Sequence, residues 1–174
     1  MQNRSMRQTI ANHLFSFVGA YWALLGFLLL LIFAVIRISP YAGAIVPIAE
    51  LSTWVAVITW SIFMVFLEGH RGFQLRFSPY FAERLSQLMM SPRWLQVLLA
   101  PVYCGGYFDA PRERLLRSWV LLGGIVALVI FMSFTPQPYR GVVAFGVLAG
   151  LIYGALTLLY YNLRAIAAFL NNNR

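Results

Sequence analysis

Charged residues and cysteine are scarce in this chain of 174 residues. Only 10% of its residues are charged, whereas about a quarter are charged in soluble domains. Lysine is absent, so all 13 basic residues are arginine, and the chain has five acids and one cysteine. A single cysteine excludes a disulfide within the chain and any metal or iron–sulfur site built from several cysteines. We therefore expect Cys104 to be a buried, inert thiol.

Apolar residues dominate instead, with 61% hydrophobic residues and a mean hydropathy of +0.75. A transmembrane helix needs about 20 apolar residues to cross about 30 Å of hydrocarbon. Apolar runs of this kind predict spans at about 14–36, 45–67, 115–134 and 142–161. We expect an all-α polytopic membrane protein with a single membrane domain, 1–174, whose four transmembrane helices form two hairpins.

The segment 68–114 between the second and third spans is polar and irregular. The phrase Glu68-Gly69-His70-Arg71-Gly72 predicts the end of the second helix, and both Ser78-Pro79 and Ser91-Pro92 are typical helix starts. The segments that follow have one apolar face each but are too short to span a bilayer. We expect two short amphipathic helices lying flat at the membrane interface.

The arginines predict the orientation. Placing the amino terminus inside leaves only Arg37 and Arg140 outside, which satisfies the positive-inside rule. We expect both termini and the segment 68–114 in the cytoplasm. A composition rich in arginine and free of lysine points to a bacterial protein, hence to the inner membrane.

This cytoplasmic segment carries most of the chain's charge. Its polar residues of interest are Glu68, His70, Arg71, Arg76, Arg84, Arg93, Arg112, Arg114 and Arg117. The arginines suit anionic lipids of the inner leaflet, or a docking site for a partner protein. Nucleic acid is not an expected partner, because the arginines follow the ends of apolar runs and form no continuous basic face. The spacing of Glu68 and Arg71 also allows a local ion pair on a helix.

Two histidines, His13 and His70, fall at the predicted inner ends of the first and second spans. Two imidazoles facing each other could hold a haem b between them. The plainer interpretation is that both contact headgroups or loops at the interface. No cofactor and no metal are expected, and the haem is the alternative.

Three glycines at intervals of four, Gly146, Gly150 and Gly154, predict a flat stripe on the fourth span. Such a stripe lets another helix approach closely. It serves either packing within the chain, against the first or third span, or contact with a second copy or a partner subunit.

No nucleotide-binding, zinc-hydrolase or serine-protease motif is present, so we expect a protein without enzymatic activity. The leading hypothesis is a small subunit or assembly factor of a larger inner-membrane complex. An oligomeric channel or transporter is the alternative, against which stands the absence of an acid or histidine near the predicted midplane. A haem- or quinone-associated redox subunit is the second alternative.

Overall fold

The computed structural model describes the backbone of residues 2–91 and 93–172, and the side chains of the same residues except 2–14, 117, 121, 124, 128, 131 and 172. Within this part the chain is helical and contains no strand. The helices are α1 (Gln2–Gly43), α2 (Leu51–Met64), α3 (Ser78–Met90), α4 (Trp94–Leu98), α5 (Ala100–Cys104), α6 (Arg112–Phe134) and α7 (Tyr139–Asn172). A 3₁₀ turn, Val46–Ile48, precedes α2, and a π-helical stretch, Val65–Phe77, which we call the π segment, joins α2 to α3.

The described part contains four helical stretches long and apolar enough to cross a membrane. They are Phe15–Ile48, Leu51–Met90, Arg112–Phe134 and Tyr139–Asn171. The prediction of an all-helical chain with four such stretches is confirmed. The first stretch runs past its predicted end at residue 36, because α1 continues through Pro40 to Gly43.

The second stretch differs from the prediction, because the helix does not end at Glu68–Gly72. It continues as the π segment and then as α3, so Leu51–Met90 is one helical stretch. Pro79 lacks an amide donor, and its ring would clash with the carbonyl four residues earlier in a regular α-helix. A π turn is wider, and the Ser78 amide here bonds the Phe73 carbonyl, so this stretch accommodates the proline without breaking.

Helix α7 is the centre of the molecule. It packs against α1, α2, the π segment and α3. It runs antiparallel to α1, since Phe169 contacts Phe17 near one end while Gly141 meets Ile45 near the other. Helix α7 is thus the common partner of α1, α2, the π segment and α3, and the arrangement as two hairpins stays a prediction.

The main apolar core lies where α1, α3, α4, α5 and α7 meet. Phe81, Leu85 and Leu88 of α3 are fully buried in it. The sequence places these residues correctly on one face of the helix, but the expectation that this face lies flat on the membrane is wrong, because α1 and α7 cover it. Small residues of α1 allow its close contacts, since a Cβ on Gly19 would lie 3.4 Å from Leu88 Cδ2 of α3, and one on Gly26 would lie 2.7 Å from Cγ of Pro101 in α5.

Helix α6 stands apart from the other helices. Close to its start, the Trp119 ring lies 5.9 Å from the Tyr107 ring, and at its far end Met132 joins a small apolar cluster with Ala42 and Ala144. Among the described residues, no other helix packs against α6 along its length.

Candidate functional site

The π segment places a group of polar side chains against α7. The Gln74 Oε1 atom accepts a hydrogen bond from His70 Nδ1, with 2.8 Å between the two atoms, and another from the Tyr153 hydroxyl. With Nδ1 donating, Nε2 of a neutral His70 ring is a hydrogen-bond acceptor. The three side chains form a connected polar network between the two helices.

Glu68 lies on the side of the π segment that meets Gly150. A Cβ at Gly150 would be 3.3 Å from Glu68 Oε2, so the missing side chain leaves room for the carboxyl group. Glu68 is partly buried, and within the described residues it makes no hydrogen bond or ion pair. The local pair with Arg71 does not form, because residues three apart no longer share a face where hydrogen bonds run from i to i+5.

The depth of this group differs from the sequence prediction. Gly150 falls near the middle of the apolar run 142–161 of α7, and Glu68 lies beside it. Glu68 and His70 therefore lie on a continuous helical stretch beside the middle of the α7 apolar run, where the sequence predicted the end of a helix. Glu68 thus provides an acid beside the middle of an apolar run, where the sequence predicted none.

A cavity of about 380 Å³ opens beside this network. Ser61, Ile62, Val65, Phe66, His70 and Tyr153 line it. The Phe66 ring stacks on the His70 imidazole with 6.0 Å between ring centroids. The lining of this cavity is apolar except for Ser61, His70 and Tyr153.

The glycine row of α7 packs inside the molecule, against α2 and the π segment and not against the first or third span. A Cβ on Gly146 would lie 2.6 Å from Trp60 Nε1, and one on Gly154 would lie 2.6 Å from Phe73 Cγ. Gly69 of the π segment makes the reciprocal approach, with a Cβ position 2.8 Å from the Tyr153 ring. The row is the reason that α7 and the π segment come close together.

The two histidines lie far apart along the helices. The Phe27 ring of α1 packs on Phe77, with 4.9 Å between centroids, and α1 runs antiparallel to α3, since Gly19 meets Leu88. His13 is about 20 Å along α1 from Phe27 at about 1.5 Å of rise per residue, and His70 lies in the opposite direction from Phe77. The His13 side chain is outside the described part, but this register does not favour a haem held by both histidines.

A second polar cluster surrounds Arg84. Its Nε donates to the Tyr80 hydroxyl at 2.9 Å, Nη1 donates to the Tyr103 hydroxyl at 3.0 Å, and Nη2 donates to the Asp109 carbonyl. Gln96 Nε2 donates to Asp109 Oδ2 at 3.0 Å. These bonds join α3, α4, α5 and the chain before α6, so Arg84 has a structural role that the sequence interpretation as a lipid contact missed.

An open polar cavity of about 490 Å³ lies next to this cluster, between the π segment, α3 and the start of α6. Leu75, Arg76, Pro79, Tyr80, Glu83 and Arg114 line it. The Arg114 guanidinium lies over the Tyr80 ring, 4.1 Å from its centroid. Because the lining contains Arg76, Arg114 and only one acid, Glu83, it carries a net positive charge.

The remaining predicted polar residues have simpler surroundings. Arg71, Arg93 and Arg112 are exposed, and the Arg117 side chain lies outside the described part. Among the residues searched, no group of three histidine, cysteine or acidic side chains could hold a metal ion. Cys104 is fully buried as expected, and desolvation raises the pKa of its thiol to about 12. Burial also raises the pKa of the Tyr107 hydroxyl.

Sequence reasoning missed Gln74 and Tyr153. Gln74 sits four residues after His70, but a predicted helix end at Gly72 removed any reason to pair them. Tyr153 precedes the last glycine of the row, and only the packing of α7 on the π segment brings it to Gln74. In comparisons with known proteins, no protein-family model, no curated protein and no solved structure matches this chain.

Proposed function

We propose that this chain is a non-enzymatic integral membrane protein that works as a subunit or accessory factor of a larger membrane complex. The position of α6 is the observation that carries this proposal. Val120, Val126, Val129 and Ile130 in the middle of α6 are each more than half exposed. The helix is long and apolar enough to span a bilayer, yet its described side chains, which exclude those at 117, 121, 124, 128 and 131, are mostly uncovered by its own chain.

Gly123 adds a second reason. Apart from the backbone of α6 itself, no described atom lies within 4 Å of a Cβ built on Gly123, in contrast to each member of the α7 glycine row. Glycine in a helix interior costs about 1 kcal/mol relative to alanine, and in membrane helices small residues are enriched where another helix approaches closely. Since no described residue of another helix reaches this position, we assign it to a helix of a partner subunit.

Photo-crosslinking in native membranes tests this assignment. A photoreactive residue at Val126 of α6 should yield a discrete adduct with one partner protein. The matched control is Leu156 of α7, which is also exposed and apolar, and which should give only diffuse lipid adducts. Equal, diffuse products at both positions would show that α6 is surrounded by lipid, and an adduct of twice the chain's own mass would assign the surface to a second copy.

The proposed orientation has both termini and the α3–α5 region on the cytoplasmic side of a bacterial inner membrane. The support is the distribution of arginines, which leaves Arg37 and Arg140 alone on the outer side.

Anionic lipids of the inner leaflet are the second proposed partner, with the polar cavity at Arg76 and Arg114 as their binding site. Arg114 immediately precedes the apolar run of α6, so the cavity lies at the depth of headgroups. Basic cavities between helices on this side of a membrane suit anionic headgroups. Tyr80 contributes an aromatic face and a hydroxyl, which is typical of interfacial positions.

A further inference from the structure

Glu68 has an environment that the proposed role as a subunit does not explain. Its carboxyl group lies between the π segment and α7, at Gly150, close to the middle of the α7 apolar run. Charged side chains at this depth are rare, and they mark ion or proton sites when they occur. A partner-binding scaffold would have no need of a carboxyl group there.

The groups that face Glu68 leave its charge uncompensated. From α7 the titratable group is Tyr153, whose hydroxyl is already committed to Gln74. On its own helix His70 donates to the same Gln74 atom, while Arg71 and Arg76 are exposed. Neither α2 nor α3 directs a described basic side chain at it, and no described residue forms an ion pair with it.

The chemistry of this position favours a neutral carboxyl group. An isolated carboxylate in an apolar medium is costly, and taking up a proton removes the charge. A protonated carboxyl group also needs an acceptor. The Met64 carbonyl oxygen is a candidate acceptor, since it lies 3.5 Å from the Cβ position of Gly150 that Glu68 Oε2 approaches to 3.3 Å.

We propose that Glu68 is an intramembrane proton-binding site, which carries its proton at neutral pH and exchanges it within the bundle. The glycine at position 150 provides the space, and the contact between α7 and the π segment partly buries the group. The inference goes beyond the subunit role and stands on the position of Glu68 alone.

A hydrophobic carbodiimide tests the proposal, because it partitions into the bilayer and reacts with protonated carboxyl groups. In membranes that contain the full chain, the reagent should modify Glu68, and the modification should fall as the pH is raised. Glu68→Gln should lose it, whereas Glu83→Gln, a change at an exposed acid of the same helical stretch, should leave it unchanged. Peptide mass spectrometry identifies the modified residue.

Three outcomes would overturn the proposal. The first is an unmodified Glu68 in a chain that elutes as a folded species. The second is equal modification by a water-soluble carbodiimide, which would put the group in water. The third is protection by added sodium ions at constant pH, which would make this a cation site. An infrared carbonyl band of a protonated carboxyl group, present in the wild type and absent in Glu68→Gln, provides a readout independent of reactivity.

Discussion

At the scale of single residues, the glycines of the long helices are not equivalent. Gly146 and Gly154 have neighbouring ring atoms inside the distance that any Cβ tolerates, whereas Gly150 has its nearest neighbour at 3.3 Å, in the flexible Glu68 side chain. Apart from the backbone of α6 itself, a Cβ on Gly123 has no described neighbour within 4 Å. Gly150, at the centre of the row, is thus the member of the row with the most room.

The effect of an alanine substitution on stability should depend on how crowded each of these glycines is. Gly146→Ala and Gly154→Ala force α7 away from rigid aromatic rings and should each cost about 1–3 kcal/mol, the usual range for overpacking. Gly150→Ala should be close to neutral. Gly123→Ala should raise the stability of the isolated chain, because it gains helix propensity of about 1 kcal/mol without a clash. Thermal unfolding of the purified variants in detergent measures the order, and equal melting temperatures for Gly146→Ala and Gly123→Ala would contradict the packing of α7 on α2.

Arginine side chains also differ from one another in ways that composition hides. Arg84 is held by three acceptors, while Arg76 and Arg114 line an open cavity. Of these three arginines, only Arg76 and Arg114 are free to bind a ligand. The arginines of segment 68–114, which the sequence analysis treats as one group, therefore have at least two different roles.

The double variant Arg76→Gln and Arg114→Gln should lose bound anionic phospholipid. Each arginine near an anionic surface contributes about 1 kcal/mol, so we expect retention of co-purified lipid to fall by about tenfold or more. Native mass spectrometry of the detergent-solubilised protein measures the retained lipid. The matched double variant Arg71→Gln and Arg93→Gln removes the same two charges from exposed positions outside the cavity and should change little. Retention of inorganic phosphate instead of lipid would point to a soluble anion as the ligand.

At the scale of helices, the π segment accounts for most of the difference between expectation and structure. Its sequence contains two glycines, a histidine and charged residues, and in water such a stretch ends a helix. In the folded chain Gly69 is used for contact with Tyr153, and Glu68 occupies the space at Gly150. The stretch stays helical because α7 supplies packing that no local sequence signal records, and π turns often occur at functional sites.

For the amphipathic helix α3, the sequence predicts the buried face correctly but not what covers it. Its apolar face is evident from the spacing of Phe81, Leu85 and Leu88, and the structure buries the same residues. The partner of that face cannot be read from periodicity, because lipid and protein present the same apolar surface to it. This face contacts protein and not lipid because the small residues of α1 let the two helices come close together.

At the scale of the whole molecule, orientation across the membrane is the property that the arginines predict. Single cysteines at Gly43 and Tyr139, both exposed near the proposed outer turns, should react with an impermeant thiol reagent in intact cells. A cysteine at Gln87 of α3 should react only after the membrane is opened. The native thiol should contribute little background, because a pKa of about 12 for buried Cys104 leaves almost no reactive thiolate at neutral pH. Labelling of position 87 in intact cells would reverse the proposed orientation.

The sequence by itself determined the class of the protein: an all-helical chain with four stretches of membrane-spanning length, and the apolar faces of the short helices. These properties follow from hydropathy and periodicity, which act through each residue and its near neighbours. Only the tertiary structure decided that α7 is central, that its glycines meet α2 and the π segment, and that Glu68 and His70 lie beside the middle of the α7 apolar run. The reason is that depth and pairing depend on the register between helices distant in sequence, and that register is set by where a glycine on one helix admits a side chain of another.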